Sequence, residues 1–346
     1  MNKNPIMVTG VTGYLASWIV KYLLEEGHTV HGTLRSLARA EKYAHLRKAE
    51  KNTNGKLVLF EADLLDEGSF EDAMTDCEVV IHTASPFTIS GIKDPINSLI
   101  KPAQEGTKNV LEQVNLIPTV KRVVITSSVV AIYGDASELK ESGTDTFDES
   151  FWNTTSSTEH QPYPYSKTLA EREAWKIFES QKRWSMAVLN PGFIMGPSLT
   201  QYTKSTSFEV MSQMGNGQFK MGVPKLYFGV VDVRDVARAH VIAALDNNVS
   251  GRNILVKESL DFLAMSKILQ NKFGKDYPFP KSYLPKFLVW LVGPTQGLTR
   301  KYVNRNVGIP VAFKNDKSIN DLGITYHPME KTITEHFQQL IDDKLV

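Results

Sequence analysis

The sequence predicts an α/β protein with a doubly wound parallel sheet and a smaller, mixed C-terminal lobe. Three observations predict this class. A glycine turn links a strand to a helix near the start, strand and helix patterns alternate after it, and small polar residues follow the predicted strands. We expect residues 1–190 to form the domain that contains the sheet, with residues 228–256 returning to it. Residues 191–346 are expected to form most of the second lobe.

The N-terminal strand and helix are joined by a turn with regularly spaced glycines. Residues 6–9 are apolar and β-branched, as in a buried strand, and residues 17–26 have the amphipathic pattern of a helix. Gly10 permits the tight turn, Gly13 lets the backbone approach a pyrophosphate at the positive helix end, and Ala16 lets the helix pack closely on the strand. This order predicts a Rossmann-type dinucleotide site.

The second predicted strand, residues 29–34, is followed by a positively charged residue, Arg35. Sites that select NAD usually place an acidic side chain here to hold the ribose 2′-hydroxyl, whereas an arginine accommodates a 2′-phosphate. Lys42 follows within a basic segment that also contains Arg39 and Arg47. These cations favour NADPH; the alternative is a solvated basic face of a helix.

Three further strands are expected at residues 57–60, 78–82 and 122–125, with a long helix at 97–114 between the last two. Asp63 follows the first of these strands and could accept a hydrogen bond from the adenine amino group. Small residues after the second strand would let the backbone pack against a cofactor. Alternation of this kind is typical of a parallel sheet.

Two hydroxyl residues, Ser127 and Ser128, follow the strand at 122–125. The carboxyl ends of strands in a doubly wound sheet point at the ligand crevice. Consecutive strand residues face opposite ways, so only one of the two serines can face that crevice. We select Ser128 as the hydroxyl that would bind the oxygen of a reacting carbonyl group.

Tyr163 and Lys167 are separated by one helical turn, so the two side chains would share a face of a helix. A cation within about 4–6 Å favours the phenolate and lowers the pKa of a tyrosine, which makes the phenol a usable proton donor. The spacing is common by chance. Its weight comes from the glycine turn and the serine that precede it in the chain.

Composition excludes several other classes of protein. The 346 residues carry a net charge of +1, which gives no reason to expect nucleic acid or an anionic membrane as a partner. A single cysteine, Cys77, excludes an intrachain disulfide framework and suits a reducing, cytoplasmic compartment. The eight histidines have no metal-ligand spacing, and no metal is expected. The apolar run at 287–292 is too short to span a bilayer, and we expect it in the core or in a pocket wall.

Taken together, these motifs resemble those of the extended short-chain dehydrogenase/reductases, within them the carbonyl reductases similar to dihydroflavonol 4-reductase and cinnamoyl-CoA reductase. The similarity covers about residues 5–340. It is carried by the segments VTGVTGY at 8–14, ADL at 62–64, ITSS at 125–128, YPYSKTLAE at 163–171, LNPGFIMGP at 189–197 and VDVRDVA at 231–237. The resemblance implies a catalytic triad of Ser128, Tyr163 and Lys167, with Arg35 and Lys42 at the 2′-phosphate.

The resemblance also implies that residues 191–194 lie under the nicotinamide of NADPH. The residues expected to contact the cofactor are Gly10, Thr12, Gly13, Tyr14, Leu15, Arg35, Lys42, Asp63, Leu64, Thr83, Ala84, Ser85, Thr126, Tyr163, Lys167, Pro191, Gly192, Phe193 and Ile194. Candidate substrate contacts are Phe87, Tyr133, Tyr202 and Phe228.

Two departures from the family pattern bear on the substrate. The flavonoid reductases carry an asparagine five residues after the catalytic serine, and this chain has Tyr133 there. The cinnamoyl-CoA branch has an Asn-Trp-Tyr-Cys-Tyr segment where this chain has QPYPY at 161–165. Neither specialised substrate is therefore assumed.

The expected activity is NADPH-dependent reduction of a ketone or aldehyde on an apolar or aromatic small molecule, by a monomer or homodimer. One alternative is a nucleotide-sugar epimerase or dehydratase with tightly bound NAD. Arg35 argues against it, because those enzymes usually carry an acidic group after the second strand. The other alternative is a non-catalytic protein that senses NADP(H), and such proteins typically lack the tyrosine or the lysine.

Overall fold

The computed structural model describes residues 4–85 and 94–346. Within these residues the strands are β1 (Ile6–Val8), β2 (Thr29–Leu34), β3 (Lys56–Glu61), β4 (Val79–His82), β5 (Arg122–Thr126), β6 (Ser185–Pro191), β7 (Phe193–Met195), β8 (Tyr227–Asp232), β9 (Gly251–Leu255) and β10 (Glu258–Asp261). The α-helices are α1 (Tyr14–Glu25), α2 (Ala44–Lys51), α3 (Glu71–Met74), α4 (Lys101–Leu116), α5 (Ser137–Glu141), α6 (Pro162–Glu179), α7 (Thr206–Gly215), α8 (Val233–Leu245), α9 (Phe262–Phe273), α10 (Lys286–Val292), α11 (Arg300–Asn306), α12 (Asp316–Leu322) and α13 (Met329–Asp342).

Seven strands form one parallel sheet in the order β3-β2-β1-β4-β5-β6-β9. The strand order reverses between β1 and β4, and such a switch point opens a ligand crevice at the carboxyl ends of the strands. The expectation of a doubly wound parallel sheet with a smaller mixed sheet in the second lobe is confirmed.

Helices cover both faces of the large sheet, because successive strand residues point to opposite sides. In β1, Ile6 and Val8 pack into the core that contains the buried side chains of α1 and α8. Met7, between them, faces the core that contains the buried side chains of α4 and α6. This double burial explains why the predicted strands are almost purely apolar.

The second lobe contains the smaller sheet, in which β8 pairs in parallel with β7 and antiparallel with β10. Residues 228–256 were expected to return to the first domain. Of that stretch, β9 joins the large sheet and α8 packs on α1, whereas β8 lies in the smaller sheet. The expected domain boundaries themselves stay a prediction.

Helix α10 overturns the expectation that the apolar run at 287–292 is buried. Phe287 is 68% exposed and Leu291 is 60% exposed, and only Val289 is buried. The helix has seven residues and packs through one side, so an uninterrupted apolar run leaves the other sides in solvent. Arg300 covers part of this surface, with its guanidinium 4.2 Å from the Trp290 ring centre. Among the described helices, none is long and apolar enough to cross a bilayer.

Two predicted helix boundaries are also different. Helix α1 begins at Tyr14, three residues earlier than the apolar pattern indicated, because Gly13 takes the extended backbone of an N-cap. The helix predicted at 97–114 is a π-helical turn, Ile96–Ile100, continued by α4 to Leu116.

Candidate active site

The turn after β1 lies in close contact with the segment after β4. Gly10 has φ +66°, a left-handed conformation that glycine adopts without strain, and a Cβ placed on it would lie 3.1 Å from the Cβ of Ala84. Thr9 fixes this junction, because its Oγ1 accepts hydrogen bonds of 3.0 Å from the backbone amides of both Thr83 and Ala84. His82 Nδ1 also lies 3.0 Å from the Thr9 hydroxyl. Thr9 was missed from the sequence, because only the fold brings it beside β4.

The N-terminus of α1 faces the crevice with its backbone. Gly13 is the N-cap and the first turn carries no acidic side chain, so the positive end of the helix is open to an anion. Tyr14 turns its ring away, with an edge contact to Phe208 and a 2.5 Å hydrogen bond from its hydroxyl to the carbonyl of Gly196. Leu15 is buried. Both residues can therefore offer a cofactor only their backbone amides, whereas the neighbouring Thr12 is half-exposed.

The basic residues after β2 divide into paired and unpaired cations. Arg39 forms an ion pair of 2.9 Å with Glu41, and Arg47 forms one of 2.9 Å with Glu50. Arg35 and Lys42 are both exposed, and neither forms an ion pair with any other part of the described chain. Of the four cations named in this segment from the sequence, the two expected at a 2′-phosphate are those without an ion pair in the described chain.

The turn after β3 is held by its own hydrogen bonds and by α4. The exposed carboxylate of Asp63 accepts from the amide of Leu65 at 2.9 Å. The Asn109 side chain of α4 donates to the carbonyls of Leu64 and Asp66 at 3.1 and 2.9 Å. Asp63 is accessible to an adenine group, and Leu64 is half-buried beside α4.

Thr126 uses its hydroxyl on the side of α8, away from the serines. Burial lowers the pKa of His240 to about 4, so this imidazole is neutral at pH 7. Its Nδ1 lies 2.7 Å from the carbonyl of Val236 and must donate to it, which leaves Nε2 to accept from the Thr126 hydroxyl at 2.7 Å. Only the backbone of Thr126 is left to contact a cofactor.

The two serines after β5 differ in their surroundings. Ser127 is buried, and its hydroxyl donates to the Glu171 carboxylate at 2.5 Å. Ser128 is half-exposed, with its Oγ 3.4 Å from the carbonyl of Pro191. The selection of Ser128 from strand alternation agrees with this difference.

Glu171 is the centre of a buried network behind these serines. Its carboxylate accepts from Arg252 Nε at 2.6 Å and from Asn190 Nδ2 at 2.9 Å. The same Asn190 amide group donates to the backbone carbonyl of Ser128 at 3.2 Å. Since Glu171 lies on α6 one turn after Lys167, the network fixes the end of β5 relative to that helix.

Tyr163 and Lys167 lie in the first two turns of α6, which begins at Pro162. The Lys167 ammonium is 5.9 Å from the centre of the Tyr163 ring. Burial raises the pKa of Tyr163 above its usual range, and burial lowers the pKa of Lys167 to about 8. The expected lowering of the tyrosine pKa by the lysine is not seen, because burial is the cause that acts on Tyr163 and burial raises the pKa of a phenol. A phenol with a raised pKa keeps its proton at neutral pH.

The segment after β6 contains one position, Gly192, that has no room for a side chain. A Cβ on Gly192 would lie 2.2 Å from the carbonyl oxygen of Gly229, so only glycine fits where β6 passes β8. Phe193 and Ile194 follow in β7 and pair with β8. Pro191 ends β6 with its carbonyl near the Ser128 hydroxyl. This stretch connects β6 of the large sheet to β7 of the smaller sheet.

A cavity of about 90 Å³ lies between the segment after Ser128 and the segment before Tyr163. Its lining consists of Val130, Tyr133, Gly134, Ala136, Gln161, Leu226, Tyr227, Phe228, Tyr302 and Asn306. A larger open groove of about 470 Å³ includes Lys121 and Ser185, at the amino ends of β5 and β6. That groove lies at the opposite edge of the sheet from the crevice and is not the candidate site.

Two of the four candidate substrate contacts line this cavity. Tyr133 and Phe228 line the cavity, and the Tyr133 ring also stacks on Phe147 at 4.9 Å. Tyr202 is 50% exposed and is not part of that lining. Phe87 lies outside the described residues. Within the described chain, no group of three or more His, Cys, Asp or Glu side chains is placed to hold a metal ion.

The sheet order and the glycine turn define a Rossmann-type nucleotide-binding protein, and comparison with known proteins identifies its family. Residues 6–256 match the model of the NAD dependent epimerase/dehydratase family. The chain belongs to this family, which confirms the resemblance to the extended short-chain dehydrogenase/reductases.

Relatives and solved structures are similar over almost the whole chain. Cinnamoyl-CoA reductase CAD2 of Medicago truncatula is 33% identical over 344 residues, which are 99% of this chain and 97% of that protein. Tetraketide alpha-pyrone reductase 1 of Arabidopsis thaliana is 35% identical over 81% of this chain and 84% of that protein. The structure of Gre2 from Candida albicans in complex with NADPH superposes with a TM-score of 0.79 at 27% identity, covering 99% of both chains.

Replacing Glu171 by alanine should destabilise the fold, because the buried Arg252 would lose its partner. Breaking a buried ion pair in this way costs about 3–5 kcal/mol. Urea unfolding followed by circular dichroism measures the change. Glu112→Ala is the matched control, since Glu112 is an exposed helix residue 3.9 Å from Lys108 and such pairs contribute about 0–1 kcal/mol. Equal losses in the two variants would contradict the central role of the Glu171 network.

Proposed function

We propose that this protein reduces a ketone or aldehyde to an alcohol with NADPH as the hydride donor. The observation that supports the proposal is that α6, which contains Tyr163 and Lys167, packs on the 3-10 turn at 129–131 that directly follows Ser128. The cavity lining includes Val130 and Gln161, which are two residues from Ser128 and from Tyr163 in the chain. The coarser assignment, an oxidoreductase, is supported by relatives that are reductases and by the similarity to Gre2, which was crystallised with NADPH.

The chain offers suitable positions for two parts of that cofactor, the pyrophosphate and the 2′-phosphate. The close approach at Gly10 and the open N-terminus of α1 suit a pyrophosphate. Arg35 and Lys42 are available for a 2′-phosphate. Bound NADPH would supply a hydride to the carbonyl carbon.

The side chains then have distinct tasks in the proposed reaction. Ser128 donates a hydrogen bond that orients the substrate oxygen. Tyr163 transfers its phenolic proton to that oxygen as the carbon accepts the hydride, which yields the alcohol and a tyrosinate. The Lys167 ammonium stabilises the tyrosinate until a proton from solvent restores the phenol. Burial raises the pKa of Tyr163, which keeps the phenol protonated but makes it a weaker acid, so the proposed step relies on the Lys167 ammonium to stabilise the tyrosinate.

Two other functions would use the same fold. A nucleotide-sugar epimerase or dehydratase would retain bound NAD, and the unpaired Arg35 after β2 does not favour it. A sensor of NADP(H) would bind the cofactor without turnover, and the presence of both Tyr163 and Lys167 argues against that. Recovery of bound NAD with the purified protein would favour the epimerase or dehydratase. Cofactor binding without turnover of any carbonyl compound would favour the sensor.

Tyr163→Phe should abolish most of the turnover and leave NADPH binding in place. General acid catalysis contributes about 10²–10⁴-fold to a rate, so kcat should fall by at least the lower figure. Loss of the reduced-nicotinamide absorbance, measured across aryl aldehydes, diketones and β-keto esters, gives kcat, and cofactor fluorescence gives Kd. A variant with near wild-type kcat would contradict the role of the tyrosine.

Arg35→Ala should weaken NADPH and have little effect on NADH. Charge-assisted hydrogen bonds contribute about 1.5–3 kcal/mol, so NADPH should bind roughly ten- to hundredfold more weakly. Titration calorimetry with both cofactors measures the difference. Arg39→Ala is the control, because Arg39 is already paired with Glu41. An equal loss for NADPH and NADH would rule out the phosphate contact.

The pH profile should report the charge of Lys167. With a pKa of about 8, the ammonium is charged below that pH and neutral above it, so kcat/KM should fall as the pH rises through about 8. Lys167→Arg should remove this descent, because a guanidinium stays charged to beyond pH ~12. Wild type and variant are compared from pH 6 to 10 with one carbonyl substrate. The same descent in both proteins would assign it to another group.

A further inference from the structure

A buried carboxylate, Asp135, joins three segments around the cavity. It is fully buried, and it accepts from His160 Nε2 at 3.0 Å, from Arg305 Nε at 2.6 Å and from Asn306 Nδ2 at 2.7 Å. The arginine and the asparagine belong to α11 of the second lobe, whereas the histidine precedes α6. Arg305 compensates the buried charge, and the whole cluster is therefore held in one arrangement.

Gln161 is the fourth residue that binds Asp135, and its backbone is unusual. It has φ +58°, which is rare for a residue other than glycine, and it is the N-cap of α6, two residues before Tyr163. Such conformations persist only where the surrounding structure enforces them, and they concentrate at functional sites. The enforcing contacts are hydrogen bonds from Gln161 Nε2 to Asp135 Oδ1 at 2.8 Å and to the Gly134 carbonyl at 2.9 Å.

These contacts fix which way the Gln161 amide faces. An NH₂ group has two hydrogens, and both partners here are acceptors, so the amide group has no flipped alternative: its oxygen would then face a carboxylate and a carbonyl. Both donors are thereby used, and the Oε1 acceptor is what Gln161 can offer to a ligand in the cavity that it lines. The other amide of the lining, Asn306, uses its oxygen on the amide of Ala136 and its nitrogen on Asp135 and the Tyr302 carbonyl.

We infer that Gln161 determines specificity by accepting a hydrogen bond from a substrate hydroxyl close to the reacting carbonyl, in an orientation that Asp135 sets. The inference rests on the proposed function and names its substrate class: hydroxy ketones and hydroxy aldehydes. A cavity of about 90 Å³ has room for a substituent with a hydroxyl group, since about 10–15 Å³ of such volume already holds one water molecule. Gln161 precedes Tyr163 by two residues at the start of α6, so we expect its acceptor near the carbonyl-binding position.

The test compares two ketones of nearly equal size, hydroxyacetone and butanone, in which a hydroxyl replaces a methyl group. The ratio of their kcat/KM values is measured for wild type and for Gln161→Gly, a substitution that suits the left-handed backbone. The difference in intrinsic reactivity between the two ketones cancels when the wild-type ratio is compared with the variant ratio. A single neutral hydrogen bond predicts that the ratio falls about three- to tenfold in the variant, with butanone still reduced.

Two further variants make the result interpretable. Gln161→Asn also tolerates a left-handed backbone but is one methylene shorter, and it should lower the ratio as well. Asp76→Gly is the matched control, because Asp76 is exposed and has φ +61°, and it should leave the ratio unchanged. A ratio that is the same in wild type and in both Gln161 variants overturns the inference and leaves the proposed reductase intact. A wild-type protein that is inert towards these and all other carbonyl compounds overturns the proposed function, and the inference with it.

Discussion

The buried ion pair between Glu171 and Arg252 is the interaction on which the geometry of the candidate site depends. A carboxylate and a guanidinium without solvent are tolerated only when their remaining hydrogen-bonding positions are also filled. Here Ser127, Asn190 and the backbone carbonyls of residues 131, 149 and 151 fill them. Because one partner lies on α6 and the other on β9, the pair also fixes α6 against the edge of the sheet.

A second buried carboxylate, Asp135, has the corresponding role towards the second lobe. Its partners come from the turn before α6 and from α11, so it links the tyrosine helix to the wall of the cavity. The two networks act on the same helix, one through Gln161 before Tyr163 and one through Glu171 after Lys167. Helix α6 is thus held on both sides of the Tyr163–Lys167 pair by two buried carboxylates, Asp135 and Glu171.

The surface of the protein differs from the interior in that some apolar side chains and some charges there have no partner in the described chain. The apolar residues of α10 remain exposed, Arg35 directly follows β2, and Lys42 lies in the 3-10 turn at 40–42. Neither cation has an ion pair in the described chain, whereas the buried carboxylates Glu171 and Asp135 are paired with arginines. Charge is therefore paired in the interior and left open to solvent at this part of the surface.

Local sequence pattern was enough to predict the parallel sheet, the glycine turn, and the helical spacing that puts Tyr163 and Lys167 on one face. Strand alternation agrees with the burial of Ser127 and the partial exposure of Ser128, while the catalytic role of Ser128 stays a prediction. Only the tertiary structure decided which groups were already engaged, as with the Thr126 hydroxyl on His240 and the Tyr14 ring on Phe208. The tertiary structure also leaves most of α10 exposed to solvent, and it brings Asn306 within hydrogen-bond distance of Asp135, 171 positions away in the chain. Burial and long-range hydrogen bonds depend on how elements pack, and the period of a sequence contains no information on that.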